Sequence, residues 1–182
     1  DLKPGWGTPT IRATQAGHFG WRKPNNHTLE LVWDHFDGMA RALRFTATVS
    51  IRPDTTLAWR FKLSGVRGIP VDRVHFPRLT HIATSGHGEE LAVPAWMGQI
   101  AHDPHTVLAN GNGTGKTLEF VYPGALSMQM VTLSSAKNGG LYFAADDSLS
   151  FRKSFTLWGE SGGFAGYDMA HLPSDPGQAD TY

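Results

Sequence analysis

Residues 43–63 read LRFTATVSIRPDTTLAWRFKL, and their alternation decides the fold. Leu43, Phe45, Ala47, Val49 and Ile51 fall on odd positions, and Arg44, Thr46, Thr48, Ser50 and Arg52 on even ones. A period of two is the mark of a half-buried antiparallel strand, whose side chains point alternately to core and water. Pro53 and Asp54 interrupt the run, and Leu57, Trp59, Phe61 and Leu63 resume it against Arg60 and Lys62. The two runs therefore read as a hairpin. Parity places Leu43, Phe45, Val49, Ile51, Leu57, Trp59, Phe61 and Leu63 between two sheets.

Outward from this hairpin the same period recurs. Leu29, Leu31 and Trp33 alternate with Glu30 to give a preceding strand, and Asp37 with Gly38 supplies a turn. Residues 34–43 have room for one or two helical turns, but the Asp-Gly pair favours a hairpin connection. Further strands are expected at 71–76, 117–122, 126–133, 141–145 and 154–158. Turns lie at Pro123 with Gly124 and at Asn138 with Gly139 and Gly140. No segment carries a 3.6-residue period over ten residues. The expectation is an all-β antiparallel sandwich or supersandwich over 29–158, preceded by an irregular segment 1–28 and followed by an extended Gly- and Pro-rich segment 159–182.

Composition agrees with this reading and narrows the function. At 182 residues the chain is shorter than the roughly 250 residues of an eight-stranded α/β barrel. Hydrophobic residues at 40% suffice for a core, and 21 Gly with 11 Pro suit short strands and many turns. Sixteen basic residues balance sixteen acidic ones, so no net field draws nucleic acid or an anionic membrane. No apolar run reaches the roughly 18 residues of a membrane span. The absence of cysteine removes thiolate catalysis, disulfides and cysteine metal sites, and leaves localisation open.

The remaining motifs are weighed by context. The segment Asn110 to Thr117 resembles a phosphate-cradling loop, but Asn110 stands where the motif needs Gly, and Leu118, Phe120 and Tyr122 continue it as a strand rather than a helix. It reads as a glycine-rich hairpin loop. His102, Asp103 and His105, with His81 and His87 as distal partners, are the strongest metal candidates, yet Pro104 sits in their midst and the spacing is not that of a ligand set. No metal or cofactor is expected. Glu30 and Glu119 lie on polar strand faces, and no pair of carboxylates or Ser-His-Asp set forms a self-contained active site. Trp33 and Trp59 have core parity, whereas Trp6, Trp21 and Trp96 lie in irregular segments where an indole can stack on a sugar or fill a domain interface. Asn26 to Thr28 and Asn112 to Thr114 match the glycosylation acceptor pattern, which is short enough to arise by chance.

The run from Tyr122, Pro123 and Gly124 through Met128, Gln129 and Met130, the strand Gly140, Leu141, Tyr142 leading to Asp146 and Asp147, and Lys153 downstream resemble the N-terminal domain of bacterial glycoside-hydrolase-like proteins. Phe76 with Pro77, and Pro94 with Gly98, fit the same pattern. The resemblance implies a galactose-mutarotase-like supersandwich placed before a catalytic α/β barrel, in a chain that continues past Tyr182. It implies carbohydrate as partner, with Gln129, Asp147 and Lys153 as contacts to sugar or to the barrel, to which its irregular setting adds Trp96, and it favours an extracytoplasmic or secreted location. Asp146, Asp147 and Ser148 stand where that family often has His-Asp-Pro, which bears on any substrate contact by Asp147. The alternatives are a free-standing mutarotase-like epimerase, with His75 or His81 as acid, and a lectin-like module.

Overall fold

The computed structural model describes residues 2–3, 10–69, 71–83, 88–108, 116–135 and 139–172. It is nearly all β, with three antiparallel sheets and two compact units, residues 1–74 with 173–182, and residues 75–172.

The first unit holds β1 (Leu2–Lys3), β2 (His18–Asn25), β3 (Thr28–Asp34), β4 (Arg44–Ile51) and β5 (Leu57–Ser64). Strands β2-β3-β4-β5 form one sheet in chain order, and the register aligns Trp33 with Phe45 and Phe45 with Leu63. Parity therefore gathers the apolar side chains on one face. Phe19 packs on Trp33, Trp33 meets Phe45 edge-on, and Phe45 stacks on Phe61 with centroids 5.5 Å apart. On the polar parity, Arg22 forks onto Glu30 through two hydrogen bonds. At the outer strand β2, Pro24 falls where the pairing slips between Arg22 and Asn25.

Burial follows parity only part of the way. Leu43, Phe61 and Leu63 are buried, and Phe45 and Val49 are half-buried, but Ile51, Leu57 and Trp59 are 51%, 54% and 37% exposed. Ile51 and Leu57 are register partners that flank the turn at 52–56, and Trp59 is the next residue of that parity along β5. The segment after β3 forms a single 3-10 turn at Gly38–Ala40 rather than a plain hairpin.

The second unit is a two-sheet sandwich. It contains β6 (Arg73–Ala83, its first two residues in the first unit and paired there with β1), β7 (Glu89–Val93), β8 (Gln99–His102), α1 (Pro104–Leu108), β9 (Thr117–Tyr122), β10 (Met130–Ser135), β11 (Gly139–Ala144), β12 (Lys153–Gly159) and β13 (Phe164–His171). One sheet runs β6-β13-β12-β9 and the other β11-β10-β7-β8. Phe155, Leu157, Tyr167 and Met169 face Leu91, Val93, Val131 and Leu133, the interleaved apolar layer that two stacked sheets require. Tyr167 stacks on Phe143 with centroids 3.9 Å apart.

Several sequence expectations change here. Residues 18–25 and 164–171 are strands, not irregular or extended segments, and β7 and β8 add two short ones that alternation did not mark. Strand β10 begins only at Met130: the turn occupies 123–125, Leu126 makes a single bridge to Ala95, and 127–129 bend before the ladder starts. Residues 109–115, which hold most of the phosphate-loop look-alike and the second glycosylation pattern, lie outside the described residues, as do Trp6 and His87. Strand β9 begins at Thr117, as the alternation of Leu118, Phe120 and Tyr122 requires.

Candidate functional site

Six strand ends meet at one end of the sandwich. Lys153 opens β12 opposite Tyr122, which closes β9, and opposite His171, which closes β13. Gln129 precedes β10, Asp147 follows β11, and β7 ends at Val93 before the loop that carries Trp96. Sequence singled out Gln129, Asp147, Lys153 and Trp96, and three of these touch.

The Lys153 ammonium is wholly buried and donates to Gln129 Oε1, Asp147 Oδ2 and the Phe151 carbonyl, each at 2.6 Å. An ammonium has three protons, so its donors are all used. Asp147 Oδ1 accepts from the Leu149 amide and Oδ2 from the Phe151 amide, while Gln129 Nε2 donates to the Asp147 carbonyl. The group is a polar staple that winds residues 146–152 around one carboxylate and ties them to the start of β10. Burial pushes the Asp147 carboxyl up, but the hydrogen bonds from Lys153, Leu149 and Phe151 outweigh it and leave Asp147 below the usual carboxylate range. Burial lowers Lys153, and Asp147 offsets part of that shift. The Tyr122 ring lies 5.6 Å from the Lys153 ammonium, and its hydroxyl donates to Ser150.

Trp96 shares this end without joining the staple. Its amide donates to the Ala125 carbonyl, the Ser127 amide donates to the Pro94 carbonyl, and Ala95 bridges Leu126. The loop is thus fastened to the segment that leads into Gln129. Trp96 is 84% exposed and its φ is 57°, a left-handed conformation uncommon outside glycine and asparagine. Met97, Met128 and Leu149 are exposed at the same end.

A second buried pair joins His75 Nδ1 to Asp168 Oδ2 on the β6 and β13 strands. Sequence named His75 as an acid without finding its carboxylate, because the two lie 93 residues apart. A third group, His18, Asp34 and His35, escaped notice for a like reason, since strand pairing rather than spacing unites it. The candidate set around His102, which its spacing argues against, does not gather among the described residues: His102 turns to Glu90 at 3.2 Å, Asp103 Oδ1 accepts the Gly88 amide, and His81 pairs with Glu160. Comparison of the chain with family models, curated proteins and solved structures finds no match.

Proposed function

We propose that the chain is an accessory β-sandwich domain of a glycoside hydrolase, of the galactose-mutarotase-like supersandwich type, supporting a catalytic barrel borne elsewhere and touching carbohydrate at the Trp96 end. The motif resemblance around 122–153 motivates the family, and the all-β architecture is compatible with it. The observation that carries the sugar contact is Trp96 itself: an indole standing out of a loop fastened by backbone hydrogen bonds, in a backbone conformation that costs energy and recurs at functional sites. Such a ring offers a flat apolar face to the C–H face of a sugar, with the backbone that carries it already ordered before binding. Lys153 then acts indirectly, holding the 146–152 loop in place, and Gln129 and Asp147 act mainly as its anchors.

A single exposed ring binds a sugar weakly. Titration of the chain with soluble oligosaccharides, followed by tryptophan fluorescence, should give millimolar affinity, roughly 4 kcal/mol, lost in Trp96→Ala with the far-ultraviolet circular dichroism unchanged. Micromolar binding would point to an autonomous lectin-like module instead. Absence of any response to a panel of glycans would sink the carbohydrate reading. The epimerase alternative requires an acid and a base held on either side of an anomeric carbon, whereas His75 and Asp168 bond to each other with side chains only 10% and 5% exposed. Polarimetry with α-D-glucose or α-D-galactose should accordingly show no acceleration of mutarotation.

A further inference from the structure

We infer that His18, Asp34 and His35 form a binding site for a borderline divalent cation of the zinc class, with three protein ligands and one coordination position left open. The site is built by strand pairing. His18 opens β2 and Asp34 closes β3, and the two are register partners, so their side chains leave the sheet side by side. His35 follows at φ 57°, a left-handed turn that brings its ring back toward Asp34. The Gly17 amide donates to the His35 carbonyl at 3.0 Å, and a Cβ at Gly17 would lie 2.6 Å from that oxygen. Only glycine allows the approach that holds this turn.

The geometry is convergent. Nδ1 of His18 lies 2.8 Å and Nδ1 of His35 lies 2.6 Å from the same oxygen, Asp34 Oδ1, and the three ligand atoms lie within 4.8 Å of one another. The two imidazole planes stand at 80°, so both rings aim at one point without overlapping. Zinc bonds of about 2.0 to 2.2 Å in tetrahedral array set neighbouring ligand atoms about 3.3 Å apart. Each imidazole nitrogen therefore needs to draw back from Asp34 Oδ1 by less than about 1 Å while the two nitrogens, within 4.8 Å of each other, close toward that spacing, and both rings are more than half exposed and free to turn. The second carboxylate oxygen, Oδ2, faces Arg44 Nη1 at 3.8 Å, which leaves Oδ1 for the ion and orients the group from behind. The His35 hydrogen bond lowers Asp34, burial partly opposes it, and the His18 bond lowers it further, so the carboxylate is ionised at neutral pH.

Two neutral imidazoles and one carboxylate suit zinc, copper or nickel better than magnesium or calcium, which prefer oxygen alone. The Arg44 charge keeps the affinity modest. Calorimetric titration of the chain with zinc chloride should show one site of micromolar affinity. His18→Gln, Asp34→Asn and His35→Asn should each weaken it at least tenfold, and His102→Gln should leave it unchanged. His35→Asn keeps a residue that tolerates the left-handed backbone while removing the ligand, and circular dichroism verifies that the fold survives. Cobalt in place of zinc should give the visible absorption of a four-coordinate site, absent in the His18→Gln, His35→Asn double variant. No heat at zinc concentrations on the order of 1 mM, or equal affinity in that double variant, would overturn the assignment. Loss of binding in His102→Gln alone would equally place the ion elsewhere.

Discussion

Gly166 lies in β13 directly across from Trp158, and the indole lies flat over it. A Cβ built there would come 2.0 Å from Trp158 Cε2 and 2.1 Å from Cζ2. The ring is fixed on its other sides, by the Nε1 bond to Glu160 at 2.9 Å and by the Arg78 guanidinium 4.9 Å from its centroid. Gly166→Ala should therefore force the indole out and lower stability by about 1 to 3 kcal/mol, the usual cost of overpacking. An unchanged urea midpoint would show that the ring has somewhere else to go. In the sequence, Gly166 looks like a loop glycine among others, although glycine inside a strand commonly marks the close approach of a large neighbour. Lys153 is a similar lesson. A lysine at the start of a strand reads as solvated, and only the fold reveals that three acceptors surround it, one from the segment before β10 and two from the loop 146–152.

Among the elements, the β4–β5 hairpin was legible because each strand buries one face, which writes a period of two into the residues. Phe61 is 4% exposed and stacked on Phe45, so Phe61→Ala should cost about 3 to 5 kcal/mol. Leu57 shares its parity but is 54% exposed, and Leu57→Ala should cost well under half as much. Equal losses at the two positions in denaturant titrations would mean that parity alone, and not the extent of the packed layer, sets burial. Strand β13 was hidden for the opposite reason. Residues 165–171 are buried on both parities, so Ala165, Gly166, Ala170 and Asp168 leave no alternation to read. Strands β7 and β8 are five and four residues long, too short for a period to stand out. For the candidate site, three of the residues that meet, Gln129, Asp147 and Lys153, were singled out by the motif resemblance over 122–153 and not by any period; their saturation of one another emerges only from distances.

At the scale of the whole molecule, stability should depend on acid through His171. Burial lowers its pKa to about 4, although its bond to the Phe76 carbonyl and the charges of Asp147 and Asp168 pull the other way. The ordinary value is 6.5, so between these two limits the unfolded chain takes up a proton that the fold refuses. The contribution is complete above about pH 6.5, falls as the pH drops toward 4, and levels off below it. Its full size is about 3 kcal/mol. Urea unfolding at neutral pH and in mild acid should show this loss, and His171→Gln should flatten it; parallel pH profiles for the two proteins would assign the slope to other groups. The outer strand β2 has a different consequence for the molecule as a whole. A bare strand edge invites a neighbour to continue the hydrogen-bond ladder, and repeated additions grow fibrils. Pro24 lacks an amide proton, and the pairing already slips between Arg22 and Asn25. An incoming strand meets a missing rung beside the charge of Lys23, so the sequence guards its own solubility along a strand whose Phe19 and Trp21 are both exposed.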